Sequence, residues 1–330
     1  MAVKKFLRER IPGLYNFLKK IQDLMYCTGE GSYFVSHCRE YTNNESIRNT
    51  LRYITGSYRI LKYFFHGRTK NLNRNGLAIV LIIKNEAQYI LEWINFHVKQ
   101  GVSHFFIYDN ESTDNLFEVL QPFIANGLVT YNRIPGKVRQ TDAYNHAIYN
   151  YKHKFKYFAM IDTDEFLFTP DNTQSGALYN FIDNLMTHHE NAGGVAVNWL
   201  VFGSNGHESK PAGGVLENFT MCVEHDNPGN FHIKTICDPL KVFCWYHVHF
   251  PLYYREFYNL SENGEIIDGP FSKTVSFDKI RINHYVYKSK EEFIQKIARG
   301  RADVDIKRKL EDFHGHECNI NTDTEILSHI

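Results

Sequence analysis

YFAMIDTDEFLF, residues 157–168, opens with five apolar or aromatic residues, the length of one buried strand, and then sets Asp162 and Asp164 either side of one threonine. At a strand end, side chains two apart lie on the same side of the backbone, so the two carboxylates converge. Hard oxygen donors placed this way suit Mg2+ or Mn2+ held jointly with a substrate's phosphates. Asp-x-Asp is also common in turns and helix caps, where the carboxylates merely accept from backbone N–H groups. The apolar strand leading into it favours a ligand site, because open parallel sheets bind ligands beyond the carboxyl ends of their strands.

Upstream, the same sequence of strand, polar end and helix recurs. Residues 77–83 are an apolar strand stopping at Lys84, Asn85 and Glu86; Tyr89, Ile90, Trp93, Ile94 and Val98 then repeat at helical spacing as far as Gly101. A second strand, 104–108, ends at Asp109 and Asn110, and Ser112, Thr113 and Asp114 read as the cap of a helix running to Asn126. Residues 128–133 predict a third strand and 142–151 a third helix. Such alternation predicts a parallel, doubly wound sheet whose polar strand ends gather along one edge.

Downstream the regularity is lost. The pattern predicts a helix over 176–190, a strand over 194–203, a loop over 204–214, and then short strands and turns, including a hairpin with Asn263 and Gly264 at its tip. The expected fold is therefore α/β: a mostly parallel sheet flanked by helices over 76–170, a mixed acceptor-side half over 171–290, and helical segments at 1–75 and 291–330.

A hydrophobic content of 43% with 15% aromatic residues in 330 is that of a folded chain with a real core. The zero net charge hides an asymmetry: residues 1–75 hold 14 Lys and Arg against 5 Asp and Glu, the remainder 23 against 32. The basic, amphipathic N-terminal segment suits an anionic membrane surface, which predicts a cytoplasmic protein peripheral on the inner face of the cell membrane. Its alternative role is a solvated helical face. No apolar run is long enough to span a bilayer, and charges interrupt every run that a secretory leader would need. The six cysteines show no metal-ligand spacing and read as reduced thiols. Neither a G-x-G-x-x-G fingerprint nor a Walker loop is present, which argues against a dehydrogenase or P-loop kinase; phosphate must be held by metal and side chains. No nucleic-acid partner is expected.

Four runs taken together carry a resemblance: IIKNEAQYILEWINFHVKQGVSHFFIYDNESTDN, QTDAYNHAI, FAMIDTDEF and INHYVYKSKEEF. They resemble glycosyltransferases of GT-A fold, in the branch related to families 2 and 92, over residues 77–300. The resemblance implies transfer of a hexosyl-type group from a nucleotide diphosphate sugar, a UDP-sugar favoured, to a glycan or glycolipid acceptor, with Mn2+ or Mg2+ as cofactor and inversion at the anomeric carbon. It implies that Lys84, Asn85, Glu86 and Gln140 line the nucleotide and that Asp109 accepts from the base. Asp162 would face the ribose or a metal-bound water, and Asp164 would ligate the metal. GT-A enzymes commonly add a late histidine to that metal; His284 is the first choice and His249 the second.

Charge developing on the leaving diphosphate calls for cations, and Lys288 with Arg299 or Arg301 are candidates. Inversion calls for a base, for which the acceptor half offers Glu217, Glu224 and Asp226, the last favoured by its turn. Trp199, Phe202, Trp245 and Tyr246 either stack on sugars or fill the core. The alternatives are a sugar-phosphate nucleotidyltransferase, which normally brings a glycine-rich loop absent here, an aspartyl phosphatase, whose further motifs are missing, and a non-catalytic membrane-surface protein on a transferase scaffold. A bacterial role in surface polysaccharide or lipopolysaccharide assembly is the expectation drawn from the basic N-terminus together with what transferases of the kind it resembles often do.

Overall fold

The computed structural model describes residues 73–254, 256–306, 308–315 and 319–330, so nearly all of the basic segment expected at 1–75 lies outside the described residues. The parallel half follows the sequence closely: β1 (Leu77–Ile83), α1 (Ala87–Lys99), β2 (His104–Asp109), α2 (Leu116–Ala125), β3 (Val129–Arg133), α3 (Gln140–Tyr151) and β4 (Tyr157–Met160). Strands β4, β1, β2 and β3 lie side by side, all parallel. β1, β2 and β4 are buried at every position, and apart from His104 and Asp109 at the two ends of β2 they are written as apolar runs. Alternate residues of β1 face opposite layers. Leu77, Ile79 and Leu81 pack with Trp93 and Ile90 of α1, whereas Ala78 and Val80 pack with Tyr144 and Ala147 of α3.

The cap expected at Ser112 to Asp114 stands just before the helix, which starts at Leu116, with Asp114 Oδ1 accepting from Leu116 N at 3.3 Å; the same turn also ties two strands together. Ser112 Oγ accepts from Asn85 N at 3.0 Å, and Asp114 accepts from Ala87 N at 2.9 Å, so this turn fastens the end of β2 to the end of β1.

Beyond β4 the stretch 157–168 breaks at its carboxylates into a second strand, β5 (Glu165–Phe168), which leaves the parallel row. There follow α4 (Ala177–His188), β6 (Ala192–Val201), α5 (Val215–Asn218), β7 (Met221–Cys222), β8 (Ile233–Cys237), β9 (Val242–Trp245), β10 (Pro251–Tyr253), β11 (Tyr258–Leu260), β12 (Ile266–Ile267), β13 (Arg281–His284), α6 (Lys290–Arg299), α7 (Glu311–Gly315) and β14 (Asn321–Thr322). The main sheet runs β12-β11-β6-β8-β4-β1-β2-β3, with β8 antiparallel between β4 and β6. β13 pairs with β6 on one side and with β5 on the other, and that places His284 opposite Glu165.

The expected hairpin is present as β11 and β12, with Gly264 at φ +81° in its loop. The C-terminal segment departs from expectation: α6 closes at Gly300, whose φ of +84° ends the helix, and among the described residues beyond it only the short α7 and a 3-10 turn are helical. Cys222, Cys237 and Cys244 are buried free thiols; the other three lie outside the described residues.

Candidate active site

The ends of β1, β2 and β4 meet β6, β8, β13 and the end of α6 around a cleft of about 190 Å³ that contains Asp162 and Asp164. Asp162 is oriented at both oxygens. Gln140 Nε2 donates to Oδ1 at 2.8 Å and Lys234 Nζ to Oδ2 at 2.7 Å, while the backbone N–H of Asp162 donates to Glu165 Oε2 at 3.0 Å. Glu165 is fully buried, and its other oxygen lies 3.6 Å from Lys234 without a hydrogen-bond partner. Burial holds the Glu165 carboxyl well above the usual carboxylate range, and Lys234 only partly opposes it. For Lys234, burial favours the neutral amine, but Asp162 and Glu165 outweigh it and keep the ammonium charged.

Among the described residues β5 has a strand neighbour on one edge only, and side chains of α1 bond its other edge. Trp93 Nε1 donates to Glu165 O at 2.7 Å, and Leu167 N donates to His97 Nε2 at 3.1 Å. His97 Nδ1 donates in turn to Trp93 O at 2.8 Å, so the imidazole is neutral with both nitrogens used. Its burial is complete and depresses its pKa to about 3. The two α1 residues therefore fix the strand that follows the paired aspartates.

The turn after β1 is bound to α6. Arg299 pairs with Glu86 Oε1 and donates to Lys84 O at 3.0 Å, and Lys288 Nζ lies 3.4 Å from Glu86 Oε2. Burial pushes the Glu86 carboxyl up, but Lys288 and Arg299 outweigh it and hold it below its ordinary value. Lys84 and Glu86 line the cleft. Asn85, at φ +52°, is used structurally, its Oδ1 accepting from Thr113 N at 2.7 Å. Asp109 stands at the expected strand end, yet its oxygens accept from Ser112 N at 2.8 Å and Tyr131 OH at 2.5 Å. Asn110, the next residue, is the one that lines the cleft.

Asp164 is 9% exposed; its Oδ2 accepts from Lys296 Nζ at 2.5 Å and faces His284 Nε2 at 3.7 Å. Burial raises this carboxyl, but Lys296 and His284 more than reverse that and leave it well below the usual range. His284 is held neutral by burial, against the pull of Asp164, and its Nδ1 is buried without a partner. An ionised carboxylate beside a neutral imidazole is the protonation state that a divalent cation requires. Among the described residues no three His, Cys, Asp or Glu side chains form a complete cage. The remaining positions of a cation here would have to come from a bound ligand or water. His249 also lines the cleft, with Nδ1 donating to Ile233 O at 2.9 Å and its pKa lowered to about 2 by burial and Lys234, but among the described residues it is His284 and not His249 that faces Asp164.

The three carboxylates expected to include the catalytic base do not reach the cleft. Glu217 accepts from Gly214 N at 3.0 Å at the start of α5, and Glu224 and Asp226 are exposed on the turn after β7; none lines the cavity. Of the aromatic candidates, Phe202 and Trp245 are core residues and Tyr246 packs on Phe243. Trp199 lines the cleft with His284 4.2 Å and His232 5.0 Å from its ring centre, so its faces are already covered. Arg301, beyond α6, lines the cleft but is paired with Asp303. Lys234, Glu165, Lys296, Trp93 and His97 were not singled out from the sequence for the site. A lone lysine inside the apolar strand 233–237 is the one available signal, since a buried charge needs a partner.

The family model for glycosyltransferase family 92 matches residues 80–314, an interval that holds every residue of this network. The chain belongs to glycosyltransferase family 92. Among its relatives is a family 92 protein of Ricinus communis, 26% identical over 162 residues, which is 48% of this chain and 28% of that one. A family 92 protein of Oryza sativa is 29% identical over 161 residues, 48% and 26% of the two chains. A galactan beta-1,4-galactosyltransferase of Arabidopsis thaliana is 34% identical over 93 residues, 25% and 18%. This family 92 chain thus spans about a quarter of the curated relatives it matches. Among solved structures, S. aureus TarS 1-349 in complex with UDP-GlcNAc aligns at 13% identity and a TM-score of 0.32, over 50% of this chain and 45% of that one.

Proposed function

We propose that this chain transfers a sugar from a nucleotide diphosphate sugar, with a UDP-sugar favoured, to a glycan or glycolipid acceptor, using Mn2+ and inverting the anomeric carbon. The observation that carries the reading is the pairing of Asp164 with His284 at the end of β4, beside a cleft walled by Lys84, Lys234, Lys296 and Arg299. Family membership supports the reaction class. The galactosyltransferase activity named for the Arabidopsis relative makes UDP-galactose the first donor to try.

Asp164 and His284 would hold the cation, which when bound acts as a Lewis acid toward the diphosphate. The other roles belong to the chain itself. Lys234 and Gln140 fix the direction of Asp162, so that its carboxylate is preorganised for the donor and need not reorient during the reaction. Arg299, held by Glu86, presents a guanidinium where the departing diphosphate gains charge. Trp93 and His97 keep the strand behind the two aspartates from shifting.

Attachment of residues 1–75 to an anionic membrane surface at the inner face of the membrane remains part of the proposal. Its support is the basic amphipathic sequence. Among the described residues no helix is long and apolar enough to cross a membrane. Assembly of a surface polysaccharide or lipopolysaccharide is proposed as the setting on the same ground.

The test is release of UDP from a panel of UDP-sugars by the purified chain, with Mn2+ or with EDTA. Slow, Mn2+-dependent hydrolysis of at least one sugar is expected. Failure of UDP-, GDP- and CMP-sugars alike to bind or to turn over would count against the reading.

A further inference from the structure

We propose that Lys296 is the resident counter-ion of Asp164 and makes entry of the divalent cation conditional on entry of the diphosphate. The inference rests on the transferase reading above and extends it to the order in which ligands bind.

The oxygen of Asp164 that faces His284 is also the one that accepts from the Lys296 ammonium: Nζ lies 2.5 Å from Oδ2, and His284 Nε2 3.7 Å from the same atom. A cation held by the carboxylate and the imidazole would sit on the side of Asp164 that the ammonium now occupies. Two positive charges at contact distance repel strongly inside a cleft where burial weakens screening. On its own, the divalent ion therefore competes with a cation already in place.

The surroundings of Lys296 allow its displacement. α6 is pinned without it: Ser289 caps its first turn, Tyr89 OH donates to Glu292 Oε1 at 2.6 Å, and Arg299 holds Glu86 at its end. Lys296 can leave Asp164 by rotating its own flexible stem, with no movement of the helix. It also stands in the wall between the cleft and a second cavity of about 610 Å³ along α6, so the ammonium has somewhere to go. Its second contact, Val286 O at 2.9 Å, lies on the side of that cavity.

A nucleotide diphosphate changes the balance because it brings the anionic charge that an extra cation lacks. With diphosphate present, metal and ammonium each have an oxygen partner, one on Asp164 and one on phosphate. Binding of the two ligands is then positively coupled, and by linkage each raises the affinity of the other by the same factor.

The experiment is calorimetric titration of Mn2+ into the full chain, with and without saturating UDP, for the wild type, Lys296→Met and Lys296→Arg. The wild type should bind Mn2+ at least tenfold more tightly when UDP is present. Lys296→Met should bind Mn2+ alone about tenfold or more tightly than the wild type does, shrinking the effect of UDP; Lys296→Arg, which keeps the charge, should retain the wild-type coupling. Lys296→Gln, able to keep the hydrogen bond to Val286 O, provides the same comparison if the methionine variant does not fold. Unchanged Mn2+ affinity in a folded, uncharged variant, with UDP still strengthening Mn2+ binding, overturns the role of Lys296 and leaves the transferase reading standing. Binding of neither Mn2+ nor UDP by any of the proteins overturns both.

Discussion

Replacing His97 by glutamine should remove a defined part of the acid sensitivity of this protein. The imidazole is fully buried between Trp93 O and Leu167 N, and its pKa falls to about 3 from an ordinary 6.5. The folded chain therefore takes up this proton only near pH 3, whereas the unfolded chain takes it up near 6.5. Stability from this group is complete above about pH 6.5 and drains away as the pH falls, at about 1.4 kcal/mol per unit. By pH 5 the loss is about 2 kcal/mol, which at a slope of roughly 3 kcal/mol per molar moves a urea midpoint by roughly 0.7 M. Glutamine can donate to one backbone partner and accept from the other without titrating. The assay is urea unfolding at pH 7.5 and pH 5 for both proteins, comparing the two pH-dependent shifts; differencing removes the contributions of the other buried histidines. Equal shifts in wild type and His97→Gln would refute the neutral, doubly bonded imidazole and with it the account of how α1 holds β5.

Trp93→Phe strips the donor from Glu165 O and should cost about 1–3 kcal/mol in chemical denaturation, with reduced turnover because β5 carries that carbonyl. Gly194→Ala puts a Cβ 2.5 Å from Ile236 O and should destabilise the β6–β8 pairing by about 1–3 kcal/mol in the same assay; a melting curve like that of the wild type would show that the strands are looser than described. Glu217→Gln and Asp226→Asn, singly or together, should leave turnover within about twofold of wild type, since neither lines the cleft; a loss of about 100-fold, as expected on removing a general base, would return the catalytic base to that region.

The parallel half of the molecule was legible because each strand buried on both faces is written as a continuous apolar run, and each ends in the polar residues that form the cleft. Local signals sufficed to put Lys84, Glu86, Asp162 and Asp164 at strand ends that border the cleft. They failed where a contact depends on partners distant in the chain. β5 and β13 are four residues each and pair across more than a hundred positions, so the return of 165–168 to strand after the carboxylates had no local marker. Asp109 was placed correctly at its strand end, but nothing local shows that Tyr131 and Ser112 already occupy its oxygens. Lys296 sits on an amphipathic helix among other basic residues, and only the return of α6 to the end of β4 distinguishes it from a solvated lysine. The choice of His284 over His249 followed from the resemblance, and the geometry agrees to the extent that His284 is the histidine facing Asp164.

The central claim is that the Asp164 and His284 end of the cleft binds a nucleotide diphosphate together with a divalent cation. Titration of UDP into wild type and Asp164→Asn, each with Mn2+ and with EDTA, tests it most directly. Asparagine still accepts a hydrogen bond from Lys296, so the fold should survive and the comparison isolates the negative charge. The account predicts that Mn2+ strengthens UDP binding in the wild type and that the asparagine variant loses this enhancement. Equal enhancement by Mn2+ in both proteins, or no UDP binding by the folded wild type, would contradict it.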